Sequence, residues 1–391
     1  MSVLLTDFRP LRPAYLATQA ETFAWLASAH AHAEATQARN EGRPFEEDRF
    51  RDQMLHRLAR FGCGEDKIAT RAHALPDCAH TRWSEMQLYR LDERPMGEGA
   101  LARTRFFTRE AVGVLERLYA DCDTPPTDLL HVSCTGYDSP SAAQRLVAHK
   151  GWGASTRVFH VYHMGCYAAF PALGAASAFL SSTHRGSSTA RRRSDIVHTE
   201  ICSLHLNPLA HTPEQLVVQT LFADGFIAYA VCDEANWDRS SPALALLAMD
   251  EQIVPDSLDA MAWTCSDWGM QMSLTREVPD RIAAVLGAFV DGLASRAGLG
   301  HQERREAVYA VHPGGPKIVD RAREVLQLEE AQVACSRRVL LERGNMSSAT
   351  LPHIWMELLR DAGVAAGRAI ISLAFGPGLT ICGAVMRKVT R

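Results

Sequence analysis

The sequence lacks the features that place a protein in a membrane or on nucleic acid. It has no stretch of about 18 apolar residues, so we expect no membrane-spanning helix. The formal net charge is −4 at pH 7, which gives no basic surface for nucleic acid. The N-terminus has no charged start followed by an apolar core, so we expect a cytoplasmic protein without a secretion signal.

The sequence also lacks the common cofactor motifs. Its ten cysteines include no Cys-x-x-Cys pair and no His/Cys cluster at zinc spacing. We therefore expect reduced thiols and no metal site. There is no phosphate-binding glycine loop and no dinucleotide-binding fingerprint. The sequence thus predicts neither a metal centre nor a bound nucleotide cofactor.

What is present is a long chain with alternating elements. Its 391 residues exceed one ordinary core, so two domains or two packed halves are expected. From about residue 129 strands and helices alternate, with Ile196–Leu206 among the predicted strands, which favours an α/β fold with helix-covered sheets. A polar stretch at 233–242 predicts the boundary, giving an N-terminal half 1–236 and a C-terminal half 237–391.

One cysteine stands where a nucleophile would be placed. The run Arg157–Tyr162 predicts a strand, Gly165-Cys166 a tight turn, and residues 168–180 a buried helix. Unpaired N–H groups and the macrodipole at a helix N-terminus favour a thiolate. The alternative is that Cys166 is a small buried hydrophobe, since free cysteine is among the most buried residues.

Two further motifs place one polar side chain each at a turn. They are His312-Pro-Gly-Gly-Pro316 and Gly344-Asn345-Met-Ser-Ser348. Cysteine, histidine and asparagine can act as nucleophile, as base or cationic partner, and as neutral donor. We expect the imidazolium of His312 to hold Cys166 as a thiolate, and His312 with Asn345 to form an oxyanion hole. The alternatives are a structural histidine in a Gly/Pro turn and a helix-capping asparagine.

These motifs belong to a longer series that resembles a known family. Gly165-Cys166-Tyr-Ala, Leu221–Gly225, His312–Pro316, Gly344–Ala349 and Phe375–Thr380 stand in this order. They resemble the signature blocks of type III polyketide synthases, the chalcone and stilbene synthase family, here of bacterial type. Cys134–Pro140 resembles the block that precedes the nucleophile, and residues 1–125 match only loosely.

The resemblance implies a fold and a reaction. The fold would be the thiolase fold, two similar α/β halves in αβαβα layers, usually as a homodimer. Cys166 would carry the starter acyl group, while His312 and Asn345 would stabilise the thioester oxyanion and promote decarboxylation of a malonyl thioester. The resulting decarboxylative Claisen condensation would be followed by cyclisation to a pyrone, resorcinol or similar product. Acyl-CoA and malonyl-CoA would be substrates, and no metal or redox cofactor is expected.

The resemblance also implies a cavity. Phe222 falls at the family's gatekeeper position, and Met272 replaces the second gatekeeper aromatic. Trp263 stands where chalcone-like members typically have glycine, so its indole would fill cavity volume and limit the number of extensions. His163 is either a second proton donor or, as we favour, a residue that packs or hydrogen-bonds. The further cavity candidates are Cys134, Thr135, Cys202, His205 and Ser347.

The expected coenzyme A entrance departs from the family pattern. The family usually places several Lys and Arg around a cysteine that matches Cys63, whereas here Lys67 and Arg71 remain beside Glu65 and Asp66. The acidic pair would oppose a nucleotide phosphate. Weaker coenzyme A binding or an acyl carrier protein as donor follows, and the basic run 191–193, predicted as a surface loop, is a candidate docking site for such a carrier.

Two other functional interpretations fit the same residues. A ketosynthase III-like enzyme would perform a single condensation on carrier-bound substrates. A non-catalytic thiolase-fold subunit would keep the fold without the reaction, which the intact Cys166, His312 and Asn345 disfavour. The starter group, the number of extensions and the mode of ring closure depend on cavity shape.

Overall fold

The computed structural model describes residues 2–181 and 193–390. Within these residues the strands are β1 Val3–Leu11, β2 Tyr15–Thr18, β3 Thr70–His73, β4 Asp128–Ser133, β5 Arg157–Tyr162, β6 Arg193–Glu200, β7 Gly225–Asp233, β8 Ala243–Ile253, β9 Met261–Cys265, β10 Met270–Leu274, β11 Val308–Val311, β12 Ala369–Gly376 and β13 Thr380–Val389. The helices are α1 Gln19–Asn40, α2 Glu47–Phe61, α3 Ala100–Leu118, α4 Ala142–His149, α5 Ala169–Ser181, α6 Pro213–Leu221, α7 Val278–Arg296, α8 His301–Glu306, α9 Pro316–Leu326, α10 Glu330–Arg343 and α11 Thr350–Arg360.

The strand order of the large sheet shows two related halves. In the described residues it runs β11-β12-β13-β8-β1-β7-β6-β4-β5. From the β1–β8 pair outward, each half continues with two antiparallel neighbours and then a parallel one. The first half adds β5 at its edge, parallel to β4. The same connection pattern therefore occurs twice, on either side of β1 and β8.

Two buried helices lie between the halves. Helix α5 contacts β4, β6 and β7 of the first half and β13 of the second, and α11 contacts β7 and β11. Phe170 of α5 meets Trp355 of α11 with ring centroids 5.9 Å apart. Helix α5 is apolar along most of its length, and nine of the eleven residues of α11 are buried, as suits helices packed between two halves. With α3 and α4 outside one half and α7 outside the other, the layers run α, β, α, β, α.

Most predicted elements after residue 129 are confirmed, with one difference near the site. The strand predicted for Ile196–Leu206 ends at Glu200, and Cys202–His205 form a 3-10 turn. The strand stops because the amide of Ile201 donates to Thr135 Oγ1, 2.9 Å away, instead of to a neighbouring strand. No helix in the described part of the chain is long and apolar enough to cross a membrane.

Candidate active site

Cys166 lies in the predicted strand–turn–helix unit. Strand β5 leads to a 3-10 turn, Gly165–Tyr167, which is followed by α5. Gly165 has φ +75°, and a Cβ there would lie 2.4 Å from Cδ of Pro377. Only glycine fits this turn, because both the conformation and the space exclude a side chain. The Cys166 side chain is therefore held at a fixed point, 8% exposed, against the turn at Pro377.

Asn345 lies close to the Cys166 thiol and is anchored by its backbone. Its amide donates to Leu221 O at 3.0 Å and its carbonyl accepts from the Ala223 amide at 2.8 Å, which makes a bridge to Phe222. The side-chain Oδ1 accepts from the Ser347 amide at 2.9 Å. The Nδ2 group is buried and makes no close hydrogen bond in the described residues, although it lies near enough to Cys166 to lower the pKa of that thiol. The amide donor is thus oriented at the site and remains available to a bound molecule.

His312 follows β11 and is completely buried. Its backbone amide donates to Leu373 O at 2.8 Å, so the residue extends the β11–β12 pairing. Neither ring nitrogen has a hydrogen-bond partner in residues 2–181 and 193–390. Since β12 also contacts the turn that carries Cys166, these elements converge. A buried imidazole with two unused nitrogens is costly unless another molecule supplies the partner.

The protonation states differ from the predicted thiolate–imidazolium pair. Burial, and next the charge of Glu200, raise the pKa of Cys166 to about 12, although hydrogen bonding from Ser347 and Asn345 opposes the shift. Burial lowers the pKa of His312 to about 3. Near pH 7 the structure therefore favours a neutral thiol and a neutral imidazole. Both shifts run against the predicted ion pair, because desolvation outweighs the local donors.

A cavity of about 100 Å³ opens beside Cys166. It is smaller than the roughly 300–1,000 Å³ typical of ligand pockets. His312 and Asn345 are buried outside its lining, so the wall at this end is formed by Cys166 and its neighbours. The predicted site residues that line the cavity are Cys134, Thr135, Cys166, Cys202, His205, Phe222, Trp263, Met272, Ser347 and Arg71.

Trp263 and Met272 narrow this cavity from one side. They are directly paired across the β9–β10 hairpin. The indole Nε1 donates to Cys134 O at 2.7 Å, and the ring meets His205 edge-on with centroids 5.5 Å apart. The indole is therefore fixed in place and occupies space next to the Cys134 segment.

Comparisons with known proteins decide the family. The profile of the chalcone and stilbene synthases' C-terminal domain matches residues 245–390. "Type III polyketide synthase C" of Arabidopsis thaliana is 30% identical over 267 residues, which span 67% of this chain and 68% of the relative. The chain belongs to the type III polyketide synthase family. "Type III polyketide synthase A" of the same plant is also 30% identical, over 68% of this chain and 66% of the relative.

Solved synthases show the same fold. PKS-I from the brown alga Ectocarpus siliculosus superposes with a TM-score of 0.82 at 22% identity, covering 99% of this chain and 98% of that one. The C-terminal type III polyketide synthase domain of Steely1 from Dictyostelium gives 0.79 at 20% identity, over 100% of both chains. The expected layered thiolase fold is thereby confirmed.

The synthase site contains a buried carboxyl group that sequence reasoning missed. Glu200 accepts from the Cys134 amide at 3.1 Å, from Thr135 Oγ1 at 2.9 Å and from the Ser348 hydroxyl. Burial raises its pKa, although these donors oppose the shift. An acidic residue within an apolar predicted strand was the available signal.

Two histidines that were candidates are occupied by other contacts. In the synthase cavity, His205 Nδ1 accepts from the Met270 amide at 3.0 Å, so Nε2 carries the proton and donates to Thr135 O at 2.8 Å. His205 is therefore part of the wall. His163 is exposed outside the cavity and hydrogen-bonds Tyr137, in agreement with the interpretation we favoured.

The prediction that Arg71 lies at the coenzyme A entrance is wrong. Arg71 is 2% exposed and lines the inner cavity, so it cannot meet a solvent-side nucleotide phosphate. The reason is that β3 turns this side chain inward, which the spacing from Cys63 does not reveal. Lys67 is exposed, lies 3.3 Å from Asp66, and does not line the cavity.

The basic run at 191–193 is only partly described. Residues 191 and 192 lie outside the described residues. Arg193 begins β6 instead of lying in a loop, and its guanidinium is 2.5 Å from both Asp7 and Asp195. Because two carboxylates already hold it, Arg193 offers little free positive charge to an acidic carrier protein.

Proposed function

We propose that this type III polyketide synthase loads an acyl group on Cys166 and extends it by decarboxylative condensation with a malonyl thioester. The observation that supports this best is the set of buried polar groups at the site that lack close partners. Asn345 Nδ2 and both ring nitrogens of His312, one a donor and one an acceptor in the neutral ring, have no hydrogen-bond partner in the described residues. Such groups suit a thioester oxygen that becomes negative during reaction, where preorganised donors are most effective.

In the loading step, neutral His312 takes the proton of the Cys166 thiol as the sulfur attacks the acyl carbonyl. This order fits the directions of the two pKa values, since neither group starts charged. The tetrahedral intermediate collapses with loss of the donor thiolate, which receives the proton from His312. The product is an acyl thioester on Cys166.

In the extension step, the malonyl thioester loses CO₂ and the electron pair moves into the thioester as an enolate. The amide of Asn345 and a ring N–H of His312 would stabilise the enolate oxygen. The enolate carbon then attacks the acyl carbon on Cys166, and the cysteine sulfur leaves. The thioester itself acts as electron sink, so we propose no metal or redox cofactor.

The small volume of the cavity limits the size of the product that we propose. With Trp263 in place, about 100 Å³ is open beside Cys166. We therefore propose few extensions before cyclisation to a pyrone, resorcinol or similar ring. A single condensation, as in ketosynthase III enzymes, is the second candidate, because the same small volume also favours early release.

We also propose a homodimer. Strand β5 lies at the edge of the large sheet and pairs only with β4 among the described strands. Phe159 in the middle of β5 is 41% exposed. An open edge with an exposed aromatic is suited to pairing with a second chain.

The test is mass spectrometry of products from purified protein given malonyl-CoA and acyl-CoA starters of rising length. Pyrones or resorcinols that disappear in Cys166→Ala would support iterative condensation. An acyl adduct on Cys166 without any released ring would favour the single-condensation alternative. Absence of both adduct and product, with CoA and with carrier-bound donors, would overturn the proposed function.

A further inference from the structure

The cavity has a second end, away from the Cys166 turn. Its wall there comes from α1, β3 and the 3-10 turn Pro76–Ala79. Arg71 and His73 are two residues apart in β3, so both side chains leave the same face of the strand. Cys202 lines the same cavity and interacts electrostatically with both Cys166 and Arg71.

Arg71 is fixed in position but only partly bonded. Its Nη1 donates to the carbonyls of Gln219 at 2.9 Å and Phe222 at 2.6 Å. Its aliphatic part packs on Gly344, where a Cβ would lie 3.1 Å from both Cγ and Cδ of Arg71. Nε and Nη2 are buried, and no described residue accepts a hydrogen bond from them. The guanidinium is thus oriented and retains free donors.

This buried cation has no carboxylate partner among the described residues. Asp224 acts on it electrostatically but is committed elsewhere. Its carboxylate accepts from the Ala74 amide at 2.7 Å and from the amide and hydroxyl of Ser203 at 2.8 and 2.6 Å. Because no described carboxylate accepts a hydrogen bond from this guanidinium, an anion that enters the cavity would supply acceptors to its free Nε and Nη2 donors.

His73 adds a second polar group beside Arg71. It is 7% exposed, and its Nδ1 has no partner in the described chain. Burial, and next the charge of Arg71, lower its pKa to about 3, so it is neutral near pH 7 and offers one N–H. Burial lowers the pKa of Arg71 only to about 10, so the guanidinium remains charged.

We propose that Arg71 and His73 form a carboxylate-binding subsite that selects a short starter acyl group carrying a free carboxylate at its far end. This inference rests on the proposed loading of Cys166. A carboxylate that must leave as CO₂ is poorly served by a cation, because the charge would be stabilised in the ground state. The subsite therefore suits a carboxylate that is retained, on the starter, better than that of the malonyl extender.

The experiment compares matched thioesters by intact-protein mass spectrometry of Cys166 acylation. Succinyl-CoA is set against butyryl-CoA, and glutaryl-CoA against pentanoyl-CoA, so each pair differs only in the terminal group. We expect the wild-type protein to load one of the diacids at least about tenfold faster than its partner, since a charge-assisted hydrogen bond favours the anion. Equal loading within both pairs, or a preference for the methyl-terminated chains, overturns the subsite.

Two variants identify the residues responsible. His73→Phe keeps the size and removes the N–H, and Arg71→Met removes the charge; both should reduce the diacid preference. Because Arg71 also bonds two carbonyls, Arg71→Met is interpreted only if its urea unfolding resembles that of the wild type. His73→Phe leaves those bonds intact. Arg105→Met, which removes an exposed cation from α3, is the control and should keep the wild-type preference.

The two carboxylate sources are separated by a second assay. Malonyl-CoA decarboxylation without starter reports on the extender alone. Diacid loading should fall more than decarboxylation in His73→Phe, and an equal or larger loss of decarboxylation would assign the subsite to the extender and overturn the proposal. Absence of Cys166 acylation by every thioester contradicts the proposed function, whereas loading without terminal-group preference contradicts only the subsite.

Discussion

The two ends of the cavity use buried polar groups in different ways. At the Cys166 end the unused donors of Asn345 and His312 are held by turns and by backbone bridges that leave almost no freedom. At the Arg71 end the free donors lie on β3, a short strand in a two-stranded sheet with β2. If the proposed function and the proposed subsite hold, the first end carries the reaction and the second end selects the acyl group.

A substitution that disrupts the Cys166 end of the cavity should have the largest effect on stability and on loading. Gly165→Ala places a Cβ 2.4 Å from Pro377 at φ +75°. We expect a loss of about 2–5 kcal/mol in unfolding free energy, from left-handed strain plus overpacking, and loss of Cys166 loading. Urea unfolding measures the first and intact-protein mass spectrometry the second.

The matched control is Gly151→Ala, at φ +68° with nothing within 4 Å of the added Cβ. It carries only the conformational strain, about 1–2 kcal/mol. Equal destabilisation by the two substitutions would mean that the contact with Pro377 does not constrain the Cys166 turn.

The second largest effect should be on the reaction at the Cys166 end of the cavity. Asn345→Ala removes the free Nδ2 donor, so kcat for malonyl-CoA decarboxylation should fall by about 10²–10³. Cys166 acylation should fall less, because the enolate needs this donor most. Asn236→Ala, in the loop between β7 and β8, is the control. If acylation falls as much as decarboxylation, the amide has no particular role in enolate stabilisation.

The neutral state of the Cys166 thiol can be tested by measuring its alkylation at different pH values. With the Cys166 pKa raised to about 12, its alkylation by iodoacetamide should rise about tenfold per pH unit from pH 7 to 10 without a plateau. The exposed Cys265 should react first and is the internal reference. A plateau in Cys166 alkylation below pH 8 would restore the thiolate hypothesis.

The same shift has a stability consequence with a definite sign. The folded state disfavours the thiolate, so the contribution of Cys166 to folding stability is intact below the ordinary thiol pKa of 9.0 and is lost as pH rises toward 12. Comparing urea unfolding of the wild type with Cys166→Ala between pH 8 and pH 10 measures it. A wild-type curve no more pH-sensitive than the variant's would contradict the raised pKa.

Substitution of Trp263, between the two ends of the cavity, should have the smallest energetic effect. It should change the length of the product. Trp263→Gly should lengthen the product by at least one two-carbon unit, because the indole beside Cys134 is removed. Trp263→Phe keeps most of the bulk but loses the hydrogen bond to Cys134 O, and should keep the product length. Liquid chromatography with mass spectrometry distinguishes these outcomes, and an unchanged product in Trp263→Gly would show that the indole does not limit extension.

Sequence reasoning predicted the Cys166 end well because its signals are local. The apolar run before Cys166, the glycine turn and the small-residue helix are contiguous, and the strand and helix they predicted occur at Arg157–Tyr162 and Ala169–Ser181. The charge states there were not predictable, because desolvation depends on elements that are distant in sequence.

The central strand β1 escaped prediction for a physical reason. Its Pro10 argues from the sequence against a strand that is paired on both sides. In the structure the strand is irregular at Asp7, which has φ +55°. In the structure β8 pairs only with Val3–Leu5, and a register shift separates this part from the segment that contains Pro10. The proline therefore needs no partner on the β8 side.

The bridge between Phe222 and Asn345 limits how substrates can pass. The main chain of Asn345 bonds Leu221 and Ala223 on either side of Phe222, so a shift of the Phe222 backbone would displace Asn345 as well. Passage that keeps the reaction geometry must come from rotation of the phenyl ring about its own side-chain bonds. Substrate passage would then depend on rotation of the Phe222 side chain, which is faster than loop movement. The backbone that holds Asn345 would stay in place during this rotation.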